Sequence, residues 1–380
     1  MGATVKRVKM AAMPETNQTI ARLTPLAVVL SAVDAAAKPV AAREVEFAAV
    51  RGRVLAADVV AAKALPAAAV ALQDGWAVNA EATRDAGGYA PMVLAQAPSR
   101  IEAGQPMPKG TDAVAPFETI QTRGEHAEAV AAVVPGDGVL AAGGDCAAGT
   151  ILRKAGARVR DSDGAVFAAG GIAHVSVREP RLSVVPSRED SIIDAAAHFI
   201  ANDVKRQAGV AHMADGDLDR ALRDESVDAI IVIGGTGSGR NDKSVQALAR
   251  AGRVAVHGIA LTPGETAAFG TAGSRPVLLV PGRLDATFAV WLTLGRHMLA
   301  RLSGSTEKEQ STQATLSRKI TSTVSLTEFV PVRRDGDKVE PLATKYLSLA
   351  ALAQAGGFVL VPAESEGFQA GSSVFVRPWP

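Results

Sequence analysis

Cysteine is almost absent: Cys146 is the one thiol among 380 residues. An intramolecular disulfide is excluded, as is any Cys-rich zinc site, and a reducing, cytoplasmic setting is expected. An excess of one charge is missing too, since 40 Lys and Arg face 39 Asp and Glu. No overall field draws the chain onto nucleic acid or an anionic membrane, so an anionic ligand has to be met by local groups. Long apolar runs are lacking. The stretch over residues 28–37 is broken by Asp34, and none reaches membrane-spanning length. The first residues carry Lys6, Arg7 and Lys9 and then Pro14, Glu15, Asn17 and Gln18, without the apolar segment of a signal peptide. Residues 1–22 are expected to form a flexible tail. Aromatics make up only 4% and alanine is everywhere, so helix propensity discriminates poorly and apolar period has to decide.

What is present is a change of pattern near residue 181. From there to about residue 304, strand and helix signals alternate, the mark of an α/β unit. Asp190 is placed to cap a helix whose Ile193, Ala197, Ile200 and Val204 recur at helical spacing until Gly209 stops it. Residues 229–233 have the continuous apolarity of a strand buried on both faces, as do residues 277–280. A helix led by Asp242 follows, with Val245, Leu248 and Ala249 inward. A last amphipathic helix carries Phe288, Trp291, Leu292, Met298 and Leu299. Residues 23–180 are richer in Pro, Gly and short alternating segments and predict β-rich modules. Residues 303–313 are polar and read as a linker, after which residues 320–332 and 357–361 look like strands of a small terminal β domain.

The element with chemistry is Gly234-Gly235-Thr236-Gly237-Ser238-Gly239, lying between a buried strand and a helix. Bare backbone N–H groups and a helix N-terminus at such a place suit an anion, and glycine admits its close approach. A tight turn without a ligand is the plain alternative. A dinucleotide site fits worse, because the spacing is not Gly-x-Gly-x-x-Gly and no acid stands about 20 residues on to meet a ribose.

Several further stretches, in order, resemble the MoeA family, whose relatives include the E domain of gephyrin. They are Gly52-Arg53-Val54-Leu55-Ala56, Asp74-Gly75-Trp76-Ala77-Val78, the run from Ala103-Gly104-Gln105-Pro106 to Asp112-Ala113-Val114, Glu118, Gly144-Asp145, and the tail from Leu347 to Val374. The similarity spans roughly residues 23–380, and its specificity comes from collinearity. The resemblance implies a multidomain α/β plus β architecture: N-terminal β-rich domains I and II over residues 23–180, a central MogA-like three-layer α/β molybdopterin-binding domain over residues 181–304, and a C-terminal small β-barrel over residues 305–380. It implies a homodimer whose site joins one subunit's α/β domain to its partner's Asp74-Gly75 region. It also implies chemistry: molybdate inserted into adenylylated molybdopterin with release of AMP, a divalent cation such as Mg2+ assisting. A MogA-like adenylyltransferase and a client molybdoenzyme are the further partners it suggests.

By the same resemblance, Asp74, Asp145, Asp190 and Asp242 are candidate catalytic residues, and Asp215 and Asp242 candidate metal ligands, since anhydride cleavage with a hard cation needs oxygen donors. Each also has a plain role as cap, turn residue or solvated acid. The pterin is expected against Gly234, Gly235, Thr236, Gly237, Ser238 and Gly239 together with Pro263, Gly264, Pro281, Gly282 and Arg283. The loop resembles the Gly-Gly-Thr-Gly of the MogA branch more than MoeA's own version. Glu265 stands where the family has Lys in Pro-Gly-Lys-Pro, and Arg283 where it has Asn in Pro-Gly-Asn-Pro, so a local charge reversal is paired with a guanidinium able to offset it. Two roles follow from different classes: a molybdopterin molybdotransferase, favoured by the retained acids, and a non-catalytic binding paralogue or carrier, favoured by the altered Pro-Gly turns. A purely structural scaffold is a third.

Overall fold

A computed structural model describes residues 18–123 and 126–380. Its centre is a six-stranded sheet in the order Val210–Met213, Arg181–Pro186, Ala229–Ile233, Arg275–Val280, Ala268–Ala272 and Arg253–His257. The first four are parallel; Ala268–Ala272 pairs antiparallel to Arg275–Val280, and Arg253–His257 antiparallel to Ala268–Ala272. Successive side chains of a strand face opposite ways, and here both faces are covered. Ile231, Ile233, Leu278 and Val280 join the core built with the helices Ser191–Arg206 and Leu26–Ala36. Ile230, Val232, Val277 and Leu279 meet the helices Leu218–Arg223 and Ser244–Ala251 on the other side. The result is the expected three-layer α/β unit.

The amphipathic helix expected near residue 290 is interrupted: Leu284–Val290 and Arg296–Ser303 flank a π-helical turn, Trp291–Gly295. Trp291 is fully buried and its Nε1 donates to Asp203 at 2.8 Å. Arg296 adds two bonds to the same carboxylate, each 2.8 Å, which keeps a wholly buried acid paired. Burial alone would push the Asp203 carboxyl up, but the Arg296 guanidinium, the indole N–H and Arg206 together hold it below its ordinary value.

The terminal β domain closes on itself. Thr327–Asp335 pairs with Lys338–Pro341, that strand with Thr312–Leu316, then Ser373–Pro378, then Gly357–Val361, which pairs back onto Thr327–Asp335. Closure leaves no free edge in this five-stranded barrel. Its interior is Ala314, Leu316, Val330, Val332, Val339, Val359, Val361, Val374 and Val376. The strand Ile259–Thr262 leaves the α/β unit to lie parallel to the barrel strand at Leu261↔Thr327. On its other side it takes Thr24–Pro25. The stretch after residue 303 is tied down, with Thr306 N bonded to Gly156 O at 3.0 Å and Glu307 accepting from Arg158 N at 2.9 Å. The N-terminal region is a set of small sheets, such as Arg43–Glu46, His174–Arg178 and Val54–Leu55, and Ser99–Ile101, Gly75–Val78 and Ala113–Ala115.

The tail expected over residues 1–22 needs correction where it can be judged. Residues 1–17 lie outside the described residues, but Gln18 is only 7% exposed and Thr24 N bonds Gly258 O at 2.9 Å. No helix among the described residues is long and apolar enough to cross a membrane.

Candidate functional site

The parallel strands end together, and their carboxyl ends form the crevice where open α/β sheets take ligands. Ala229–Ile233 runs straight into Gly234 and Gly235, both at positive φ. Gly234 N bonds Val280 O at 2.8 Å, which ties the loop to the end of the next strand. The Pro281-Gly282 turn follows there, and a Cβ on Gly282 would sit 3.4 Å from the Gly234 Cα. The Pro263-Gly264 turn arrives from the barrel side, where the Thr266 hydroxyl lies 3.1 Å from that of Thr236. His257 Nε2 meets Thr236 O at 3.0 Å. Two turns singled out in the sequence thus converge on the glycine loop.

The loop's connection to its helix differs from expectation. The helix spans Ser244–Ala251, and Asp242 is not its cap. Asp242 instead accepts from Gly239 N at 3.1 Å and gives its own N–H to Gly239 O at 3.0 Å, closing a turn within the loop. Ala249, expected inward, is exposed, and Ala247 is buried in its place. The open helix N–H groups of Val245 and Gln246 are met by the side-chain oxygen of Gln18, at 2.9 and 3.1 Å. The amide nitrogen of Gln18 donates to Gly235 O at 3.1 Å and Gly237 O at 2.8 Å.

Beside the loop opens a cavity of about 290 Å³, lined by Ser187, Asp217, Asn241, Lys243, Ser244 and Arg250. The Ser187 hydroxyl is buried there without a hydrogen-bond partner, and a Cβ on Gly234 would fall 2.5 Å from it. A buried unpaired hydroxyl in a polar crevice is a group open to a ligand. Its position at the end of a parallel strand was the signal available in the sequence.

The candidate acids separate into groups. Asp190 caps the helix Ser191–Arg206, accepting from Ile192 N at 2.9 Å and Ile193 N at 3.3 Å. The backbone N–H of Ile193, then that of Ile192, and Arg188 hold its carboxyl below the ordinary value. Asp215 accepts from Asp217 N and pairs with Arg220, and both interactions lower its pKa, the backbone bond most. Among the described residues no group of three or more His, Cys, Asp or Glu is placed to hold a metal ion, so Asp215 and Asp242 do not form a metal cage with this chain alone. Asp74 and Asp145 are exposed in the N-terminal region. Asp74 accepts from Ala103 N at 2.8 Å, and the bonds found among the described residues do not join either acid to the glycine loop.

At the barrel side, Arg283 is committed to Asp285, with bonds of 3.1 and 2.5 Å, and lies over the Tyr346 ring at 5.4 Å. The hydrogen bonds that Arg283 donates to Asp285 raise its pKa most, with Glu265 adding to it through space. Asp285 is 3% exposed and also accepts from Ala286 N and Leu347 N. Tyr346, two-thirds exposed at this edge, was not anticipated.

A three-layer α/β domain with such a loop at the carboxyl ends of its strands, between β-rich modules and a closed terminal barrel, is the architecture of molybdenum cofactor biosynthesis proteins. Three family descriptions match in sequence: the MoeA N-terminal region, domains I and II, at residues 24–171; a probable molybdopterin binding domain at 181–301; and the MoeA C-terminal region, domain IV, at 313–379. The chain belongs to the MoeA family. It is 24% identical over 372 residues to a Methanocaldococcus jannaschii protein provisionally named for molybdopterin biosynthesis, with 88% of this chain and 91% of that protein covered. It is also 24% identical to molybdopterin molybdenumtransferase 1 of Mycobacterium tuberculosis, over 73% of each chain. A crystal structure of the molybdopterin biosynthesis MoeA protein of Pyrococcus horikoshii superposes with a TM-score of 0.80 at 24% identity, covering 94% of this chain and 99% of that one.

Proposed function

We propose that this protein is a molybdopterin molybdotransferase, a cytoplasmic enzyme that takes adenylylated molybdopterin and molybdate as substrates, transfers the metal to the dithiolene and releases AMP. The observation that carries this is the convergence of the glycine loop with the Pro281-Gly282 and Pro263-Gly264 turns, seen in the bond from Gly234 to Val280 and the contact of Thr236 with Thr266. A pterin phosphate is placed against the loop and the Ser187 hydroxyl, with Lys243 and Arg250 as the cations lining the adjoining cavity. Loop, turns and Arg283 bind and orient; Asp74 and Asp145 complete the site from the partner subunit of a homodimer, a reading supported by the bonds among the described residues, none of which joins either acid to the loop of its own chain. Asp190 holds its helix in register below the crevice. Among the described residues no group of three or more acids or histidines is placed to hold Mg2+. A MogA-like adenylyltransferase supplies the substrate and a molybdoenzyme takes the product.

A second role, a non-catalytic carrier of molybdopterin or finished cofactor, is favoured by one observation: Arg283 forms its ion pair with Asp285, so that among the described residues Glu265 is in no ion pair next to an incoming dianion. A single-turnover assay of AMP release, with and without molybdate, separates the two. Molybdate-dependent release is expected. Tight pterin binding with no release under either condition would eliminate the transferase and leave the carrier.

A further inference from the structure

Resting on the assignment of the glycine loop to the pterin, we infer that the segment carrying Gln18 is an intramolecular occupant of that loop, a strap that the ligand has to displace and that sets the site's apparent affinity. The side chain makes four hydrogen bonds at once, two from the helix N–H groups of Val245 and Gln246 and two to the carbonyls of Gly235 and Gly237. Those N–H groups are the open donors that a helix start offers to an anion. While Gln18 is seated they are used, and the carbonyls of Gly235 and Gly237 are turned toward its amide. The loop then presents acceptors where a phosphate needs donors. Entry of an anion requires the carboxamide to leave and these glycine peptides to turn, a rearrangement that the absence of a Cβ permits.

The chain leading back from Gln18 has the form of a leash. Thr24–Pro25 is anchored as a parallel strand on Ile259 and Ala260. Nearer the loop, Ile20 and the Arg22 carbonyl lie so close over Gly258 that a Cβ there would meet both. Residues 19–23 between anchor and plug span up to about 16 Å when extended. Gln18 can therefore withdraw without unpairing the strand. The neighbouring Ser187 hydroxyl is buried without a hydrogen-bond partner among the described residues and remains available as a donor.

When a competent state is only fractionally populated, apparent affinity falls by that fraction. Full-length wild type and Gln18→Ala are titrated with molybdopterin by calorimetry, and hydrogen exchange of the Val245 and Gln246 amides is followed in both. Gln18→Ala is expected to bind about tenfold more tightly or better, and its two amides to exchange faster in the free protein. Gln18→Asn, one methylene short of the helix N–H groups, is expected to follow it and serves if the alanine variant does not fold. Equal affinities would leave the ligand assignment standing and overturn the strap. Weaker binding by Gln18→Ala would make Gln18 a fixed part of the binding loop and overturn it as well. Binding by neither form would remove the ligand assignment itself.

Discussion

The glycines of the loop are required for two different reasons, and a pair of alanine substitutions separates them. Gly235 sits at φ +70°, in the left-handed region, where an L side chain costs about 1–2 kcal/mol. A Cβ there would run into the Ser244 hydroxyl and lie 3.3 Å from the Ser244 Cβ. Turning that hydroxyl away breaks its 2.8 Å bond to Gly234 O, a buried contact worth about 1 kcal/mol net, or more if the carbonyl is left unpaired. Gly235→Ala is thus expected to destabilise the α/β domain by about 2–4 kcal/mol whether or not a ligand is ever bound. Gly237 differs: a Cβ would meet only the Asp242 carboxylate, at 2.7 Å, the end of a flexible side chain whose one bond there is the exposed 3.1 Å contact from Gly239 N. The small cost of moving it is offset by the entropy that alanine removes from the unfolded chain, about 0.4–1 kcal/mol. Thermal unfolding should lower the midpoint of Gly235→Ala by at least about 4 °C and leave Gly237→Ala near wild type. If the loop is the pterin surface proposed above, Gly237→Leu should keep the fold yet lose molybdopterin in calorimetric titration. Equal melting of Gly235→Ala and wild type would refute the packing argument, and unchanged pterin affinity in Gly237→Leu would refute the loop as binding surface.

Three other outcomes follow from the same geometry. Arg283→Ala should abolish the molybdate dependence of AMP release and leave Asp285 buried without its cation, costing about 1–2 kcal/mol given the exposure of the arginine; unaltered molybdate dependence would remove Arg283 from the site. The carboxyl of Asp203 is depressed in the folded state, so its contribution is complete above the unfolded value near 3.8 and fades as pH falls through the lower folded one. Urea unfolding from pH 6 to pH 2 should show that acid loss in wild type and much less of it in Asp203→Asn. Light scattering at micromolar concentration should return about twice the 38.9 kDa chain mass; a monomer would dismiss a site completed by a partner's Asp74 and Asp145.

The central unit was legible because its signals are local. Residues 229–233 are uniformly apolar since both faces of that strand are covered, and Ile193, Ala197, Ile200 and Val204 repeat at helical spacing since one face of their helix is buried. Ala268–Ala272 and Arg253–His257 escaped notice because they are short and their strand-favouring residues, Phe269 and Thr271 in one and Val254 and Val256 in the other, are interspersed with Ala and Gly rather than forming an apolar run. Gly270 is there for close approach, as a Cβ would strike the Arg253 carbonyl of the neighbouring strand. The convergence of the Pro-Gly turns on the glycine loop came from collinearity with a family, not from any local pattern.

What no local pattern carries is the cap of the loop's own helix. Asp242 has the residue type and the position of an N-cap, and the sequence alone favours it. It is spent instead on Gly239, and the helix receives its acceptor from Gln18, more than two hundred residues earlier in the chain. A glutamine is an unremarkable residue in a polar N-terminal stretch. It acquires meaning only because Thr24–Pro25 lays that stretch beside Ile259 and aims it at the loop. The same placement changes what the glycine loop is. The loop in its resting form is a filled site, so its affinity for a phosphate depends as much on how readily Gln18 leaves as on how well the loop's own amides receive the anion.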